Sequence, residues 1–317
     1  MPTVSTLGPR SRALLLANLV AEVGIVVTGG LVRLSGSGLG CPTWPECTEG
    51  SLVPVAGQSE GVHRFIEFGN RMLTFAVLVT AVAALVVVIS PALARRFGTR
   101  WGEPGPVRRS LVWLAIGGLI GIVGQAVLGG VTVLLHLHPA TVAAHFMLSM
   151  AMIALAFLLL RRAAEGADRP TTVVVRRELR VVAGILVVTA LAVLVLGTFV
   201  TGTGPHSGDA VKAVRFGFDP RTISWLHSDV VLVFVGLAVA YTLGAHLTAA
   251  ANNVVRSGYV LLATCVLQGF IGYVQFFTGL PVGLVSLHML GACLVWLATL
   301  NVLLGTRIKG PPLSTGG

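Results

Sequence analysis

Two histidines stand out because they recur at matching places in two similar halves of the chain. Residues 125–145 return as residues 268–288, and both stretches contain a glutamine, a glycine four residues later, a central proline and a closing histidine, His145 or His288. Both lie in long apolar tracts, where an ionisable side chain is costly and is a functional-site hypothesis by default. A histidine repeated in this way predicts a metal or cofactor site that is built twice.

A second matching position precedes each of these stretches. The segment RFIEFGNRMLT aligns with RTISWLHSDVV, so that His227 matches Asn70. Two histidines at equal depth on different helices, such as His227 and His288, can ligate one haem iron from opposite faces. Separate hydrogen bonds to neighbouring helices are the alternative for either one alone. In the other half the equivalent positions are Asn70 and His145, so one strong ligand is present there and one is missing.

Charged side chains lie next to the first of these positions. Glu67 and Arg71 are spaced to form an i,i+4 ion pair at an interface. The alternative is that the cluster with Asn70 faces the bundle interior beside a bound cofactor. Further arginines cluster near the outer helix ends, where they fit either bidentate contacts to haem propionates or interfacial anchoring. These five arginines are Arg33, Arg64, Arg71, Arg215 and Arg221.

Two of the four cysteines lie in the Gly-, Ser- and Pro-rich loop that follows the first apolar run. Cys41 and Cys47 are separated by five residues, and a bridge between them would close a small loop. The distribution of basic residues among the loops places this loop on the outer side of the membrane, where disulfides persist. The sequence favours a disulfide over two free thiols.

Composition and apolar runs define the elements that must position these residues. The 317 residues are 55% hydrophobic and only 11% charged, which is outside the range of soluble domains. Eight runs are long enough to cross a bilayer. The fold class is therefore all-α, an integral membrane protein with eight transmembrane helices as two tandem-duplicated four-helix bundles. The runs lie near residues 13–34, 67–93, 110–134, 139–160, 181–203, 223–247, 256–279 and 283–306.

The repeat divides the chain into an N-terminal unit of residues 1–162, a cytoplasmic linker of residues 163–180 and a C-terminal unit of residues 181–317. An even number of helices per unit keeps both copies in the same orientation. Basic residues are concentrated in alternate loops, and this distribution indicates that both termini are cytoplasmic. It also explains the net charge of +10 without nucleic-acid binding. The first run has no cleavage site of the signal-peptide kind. Small residues such as Gly117 and Gly121 favour close helix packing, which is compatible with an oligomer.

Four segments resemble the haem A synthase family over about residues 26–303: GLVRLSGSGLGCPTWPEC, IEFGNR, LHPATVAAH and the C-terminal histidines. The resemblance implies a cell-membrane enzyme that oxidises the C8 methyl group of haem O to the formyl group of haem A by successive hydroxylations. It implies a haem b held by His227 and His288, and substrate haem in the N-terminal unit with Glu67 beside it as a catalytic residue. Many members have a second histidine where this chain has Asn70.

The implied partners are haem O, the farnesyltransferase that produces it, and an electron donor. A di-haem cytochrome for electron transfer and a haem transporter are the alternative functions. Pure electron transfer gains nothing from a half-ligated second site flanked by Glu67, and this favours the enzyme.

Overall fold

Eight long helices make up most of the computed structural model, which describes residues 8–97, 107–165, 170–206, 208–209 and 214–309. All eight are long and apolar enough to cross a membrane, and the predicted fold class is confirmed. The helices are α1 (Pro9–Leu34), α2 (His63–Phe97), α3 (Arg109–Leu134), α4 (Pro139–Ala164), α5 (Arg177–Thr203), α6 (Pro220–Leu247), α7 (Asn252–Phe277) and α8 (Val282–Gly305).

Most helices begin a few residues before the apolar runs that predicted them, because their first turns are polar. Pro9, Pro139 and Pro220 stand at the first helical position of α1, α4 and α6, where the missing N–H has no helical partner to lose. The Asp219 carboxylate accepts a 2.7 Å hydrogen bond from the backbone N–H of Thr222 and caps α6. The polar first turns that follow such residues therefore belong to the helix although they lie outside the apolar run.

The chain forms two compact units, the first containing α1–α4 and the second α5–α8. In the first unit, α1 contacts α2 and α4, and α3 contacts the same two helices. In the second unit, α5 contacts α6 and α8, and α7 contacts the same two helices. Each unit is therefore a closed ring of four helices, in which every helix is held between two others.

Small residues on α3 are used inside the first unit. A Cβ atom added to Gly117 would lie 3.7 Å from Leu155 of α4, and one added to Gly121 would overlap the Met152 side chain. These glycines therefore allow α3 and α4 to approach each other. The small-residue face that the sequence offered for packing faces a helix of the same unit.

A short antiparallel ribbon of β1 (Thr171–Val173) and β2 (Arg307–Lys309) lies in the second unit, with Thr172 paired to Ile308. Apolar periodicity predicted no strand, since three residues are too few to show alternation. Of the predicted linker, residues 163–164 belong to α4 and residues 177–180 to α5, while residues 166–169 lie outside the described part of the chain.

Candidate functional site

Four inner positions, one on each even-numbered helix, occupy equivalent depths. Asn70 and His227 each lie seven residues after the first residue of α2 and α6. His145 and His288 each lie six residues after the first residue of α4 and α8. At 1.5 Å per residue this is about 10 Å from the helix start. The sequence alignment of the two halves therefore corresponds to one layer of side chains in each unit.

In the first unit, each of these side chains faces a glycine on the preceding helix. A Cβ atom added to Gly29 of α1 would lie 3.7 Å from Nδ2 of Asn70. One added to Gly129 of α3 would lie 3.2 Å from Cε1 of His145, closer than an ordinary van der Waals contact. A Cβ atom at Gly129 would therefore require the imidazole to shift by a few tenths of an ångström.

The second unit repeats the arrangement at both positions. A Cβ atom on Gly197 of α5 would lie 3.4 Å from Cε1 of His227, and one on Gly272 of α7 would lie 3.1 Å from Cε1 of His288. The His227 and His288 imidazoles lie within electrostatic range of each other in the same ring of helices. The second unit therefore brings together the two histidines that the sequence paired.

The histidine rings turn one nitrogen toward the neighbouring helix. Nδ1 of His145, His227 and His288 is buried and makes no hydrogen bond of ordinary geometry with the described residues. The Val193 carbonyl lies beside His227, and the Gln268 carbonyl lies beside His288. Ligating histidines commonly direct the other ring nitrogen at such a carbonyl, which leaves Nε2 as the nitrogen that can ligate iron.

Glutamines join the paired helices next to two of the histidines. The Gln268 side-chain amide donates to the His288 carbonyl at 2.9 Å, and the Gln125 amide donates to the His145 carbonyl at 3.3 Å. These are the glutamines of the repeated stretches. Their chemical role is to fix the backbone from which each imidazole projects.

A haem group fits the second unit by its donor set. Two imidazoles supply nitrogen ligands suited to iron, and glycine on each facing helix lets the His227 and His288 rings sit against the backbone. The first unit fits a haem less symmetrically, because Asn70 offers an amide. Its Oδ1 is buried without a hydrogen-bond partner among the described residues. That amide oxygen is a weak iron ligand.

Glu67 forms the ion pair that its spacing allows. Its Oε1 accepts from Nη2 of Arg71 at 2.7 Å, and its Oε2 accepts from the Cys41 backbone N–H at 2.7 Å. The Arg71 guanidinium also donates to the carbonyls of Cys41, Thr43 and Glu46. The pair therefore fastens the cysteine loop to α2, and no sequence pattern indicates the arginine's three carbonyl contacts.

The cysteine loop is closed by a disulfide between Cys41 and Cys47, with the Cα atoms 4.3 Å apart, and the predicted pairing is confirmed. Trp44, within the closed loop, lies against Gly130 of α3, where a Cβ atom would overlap the indole. Gly130 adjoins Gly129, which contacts His145. The loop therefore rests on α3 next to the residue that positions His145.

A family profile described as Cytochrome oxidase assembly protein matches residues 12–300. The chain belongs to this family. The resemblance noted from the motifs is thereby confirmed at the level of the family, since the match spans all eight helices.

Several proteins named Heme A synthase are similar to this member of the family. The protein from Geobacillus thermodenitrificans is 29% identical over 175 residues, covering 53% of this chain and 50% of the relative. That from Geobacillus kaustophilus (strain HTA426) is 31% identical over 137 residues, covering 43% and 38%. That from Bradyrhizobium sp. (strain BTAi1) is 29% identical over 341 residues, covering 92% and 89%. The chain thus spans half or less of the first two relatives and most of the third.

Two arginines of this family member stack on aromatic rings at matching places. Arg64 lies 4.7 Å from the Phe65 ring centroid and donates to the Gln58 carbonyl. Arg221 lies 4.7 Å from the Trp225 ring centroid. Stacking of this kind is worth about 0.5–1 kcal/mol at exposed sites and fits the interfacial anchors that the sequence offered as one reading. Propionate contacts by these two residues stay a prediction.

The other three arginines lie in different surroundings. Arg71 is occupied by Glu67 and loop carbonyls, while Arg215 donates to the Pro205 carbonyl. The half-buried Arg33 lies near the end of α1. The structure therefore gives Arg71 a role in holding the loop. Propionate binding by any of these three arginines stays a prediction.

Sequence reasoning assigned no role to the glycines that face Asn70 and the three histidines. Gly129 and Gly272 were visible as the repeated glycine four residues after each glutamine, but periodicity does not show which side chain a glycine faces. Gly197 and Gly29 lie on helices whose repeat is weaker. The recurring glycine was the available signal for a close helix contact.

Proposed function

We propose that the chain is a haem A synthase, which oxidises the C8 methyl group of haem O to a formyl group by successive hydroxylations. Membership of the Cytochrome oxidase assembly protein family and similarity to proteins named Heme A synthase support this activity. The observation that carries the proposal is the set of four equivalent positions, two in each unit, in which three are histidine and the fourth is Asn70. This asymmetry gives each unit a different task.

The second unit is suited to holding haem b. His227 and His288 supply two strong ligands from different helices, and each ring is seated against a glycine. A haem with two histidine ligands supplies reversible one-electron transfer when bound, since its iron has no vacant position. The chain's contribution is to fix both imidazoles through close helix contacts and the amide of Gln268.

The first unit is suited to holding the substrate. His145 supplies one strong ligand, and its backbone is fixed by the Gln125 amide. The Asn70 amide holds the opposite face weakly, so that the substrate can meet an oxidant there. Oxidation of the substrate is therefore assigned to the first unit.

Glu67 is the acidic group adjacent to Asn70 on the surface of α2, because residues three apart are neighbours on a helix. Its carboxylate is held by Arg71 and by the Cys41 backbone N–H. We assign it a catalytic role in steering charge or protons at the substrate. The disulfide loop fixes its position.

Hydroxylation of a methyl group moves two protons and two electrons whichever oxygen source is used. With water, R–CH₃ and H₂O give R–CH₂OH, two protons and two electrons. With dioxygen, R–CH₃, O₂, two protons and two electrons give R–CH₂OH and H₂O. The enzyme therefore needs both an electron partner and a route for protons.

The proposed setting follows from the charge pattern and the chemistry. We place the protein in the cell membrane with both termini in the cytoplasm, because the basic residues lie in alternate loops. The farnesyltransferase that makes haem O is the proposed source of substrate, and an electron donor is the other proposed partner.

The test is to express the full chain beside a haem O-producing farnesyltransferase and to extract the pigments. Haem A in the extract supports the proposal, and an inactive His145→Ala control shows that the chain forms it. Haem B as the only pigment, with a b-type spectrum in the purified protein, would instead establish an electron-transfer cytochrome.

A further inference from the structure

An acidic side chain lies deep inside the first unit, away from the ligand layer. Glu22 is thirteen residues after the start of α1 and is only 6% exposed. Its carboxyl group makes no hydrogen bond or ion pair with the residues that the structure describes. Together with Asn18, one turn earlier, it lines a small cavity with space for about one water molecule. Asn18 accepts a 3.4 Å hydrogen bond from the Thr80 hydroxyl.

The cavity lies on the inner faces of the helices that carry the ligand layer. Glu22 is seven residues before Gly29, and Met152, which also lines the cavity, is seven residues after His145. Seven residues are two helical turns, so each pair shares one face and is separated by about 10 Å along the axis. Glu22 and Asn18 therefore form a second, polar layer in the same ring of helices.

The second unit has no such polar layer at the matching positions. When Gly29 is aligned with Gly197, Glu22 falls on Ala190 and Asn18 falls on Leu186. Ala190 and Leu186 are buried at 4% and 0% exposure. The fold therefore forms this layer from apolar residues in one unit, so the carboxyl group in the other is not a requirement of helix packing.

We propose that Glu22 is a proton-exchanging group, which passes protons through water in this cavity between the N-terminal side of α1 and the substrate site of the first unit. The cavity extends from Glu22 toward the side where α1 begins, so the carboxylic acid gives its proton toward the substrate site and is reprotonated by the cavity water, or the reverse when protons are released. This inference rests on the proposed function, because each hydroxylation moves two protons.

Burial and the lack of a partner determine the resting state of this group. An isolated carboxylate is expensive in an apolar environment, whereas the neutral acid is much less so. Apart from Glu22, no residue that lines the cavity is titratable: Asn18 is its only other polar side chain, and the walls from α2, α3 and α4 are Ala, Gly, Leu and Met. Glu22 therefore rests as the neutral acid, the form that can donate a proton to water.

Infrared spectroscopy of the purified full-length protein in H₂O and in D₂O tests proton exchange directly. Wild-type protein should show the C=O stretch of a protonated carboxylic acid, shifted in D₂O, and Glu22→Gln should remove it. Glu178→Gln is the matched control, since Glu178 is exposed in the first turn of α5, and this variant should retain the band. A Glu22 band that fails to shift in D₂O, or no such band in wild-type protein, would overturn the proposal.

Haem A formation is the second readout. Glu22→Gln should lower its rate by about 100-fold, the lower range for loss of a positioned proton-transfer group, while leaving the haem b spectrum of the second unit unchanged. An unchanged rate would overturn the link between Glu22 and the chemistry. If wild-type protein makes no haem A, the proposed function fails, and the infrared experiment still decides whether Glu22 exchanges protons.

Discussion

Gly272→Ala tests the idea that glycines seat the histidines that we propose as haem ligands. The added Cβ would lie 3.1 Å from Cε1 and 3.5 Å from Nδ1 of His288. This contact is too close, so something must move by a few tenths of an ångström. Because the Gln268 amide holds the His288 backbone, the imidazole itself has to move. Changes to groups that orient a metal ligand cost about 10–100-fold in affinity. We expect haem b to bind about tenfold more weakly, which corresponds to about 1.4 kcal/mol.

Gly269→Ala is the matched control, because it lies one turn away on the same helix and its added Cβ would meet nothing within 4 Å. Alanine in a helix interior is about 1 kcal/mol more favourable than glycine, so both variants gain the same intrinsic helix stability. Only Gly272→Ala should change the haem titration and the reduced-minus-oxidised spectrum. Equal haem affinity in the two variants would refute the seating argument.

The same contact predicts a graded series. Gly197→Ala, at 3.4 Å from His227, should weaken haem b binding less than Gly272→Ala does. Gly29→Ala, at an ordinary 3.7 Å contact with Asn70, should be tolerated. Haem b titrations of Gly197→Ala and Gly272→Ala would reveal their order, and haem A formation would test Gly29→Ala. A Gly197→Ala variant that binds haem b more weakly than Gly272→Ala would contradict the series.

Three further outcomes follow from the site. His288→Ala should remove the low-spin b-type spectrum, whereas His145→Ala should spare it and abolish conversion of haem O; spectra and extracted haems of both variants with the opposite result would reverse the assignment of the units. Replacing Cys41 and Cys47 by serine should cost about 2 kcal/mol, from the closure entropy of a loop with a sequence separation of six, as measured by thermal unfolding, and mass spectrometry of non-reduced wild-type digests should show the linked peptides rather than alkylated thiols. Glu67→Gln should retain the fold and the b-type spectrum but lose haem A production, and undiminished product would end the proposed role.

The helices and the equivalent positions of the histidines were accessible from the sequence for a simple reason. Crossing a bilayer requires about 20 apolar residues, and the duplication displayed His145 and His288 at matching places. The cysteine pair was accessible because five intervening residues restrict what Cys41 can reach. In each case a single local or repeated pattern carried the information.

Contacts between distant segments were not accessible in this way. The three loop carbonyls that Arg71 binds lie 25 to 30 residues earlier in the chain, and no periodicity connects them to α2. The facing pair Gly272 and His288 depends on how α7 and α8 pack. Glu22 was visible as a lone acid in the first apolar run, but its cavity is formed by four helices together.

The ribbon of β1 and β2 allows the chain connectivity of the second unit to be changed. Lys309 pairs with Thr171, so the two ends of this ring of helices meet side by side. A two-residue hairpin turn is enough to join antiparallel strands at such a place. The second unit could therefore be circularly permuted, with a turn after Lys309 leading into Thr171 and new termini opened in the connection after Leu247, without changing the order of helices around the ring.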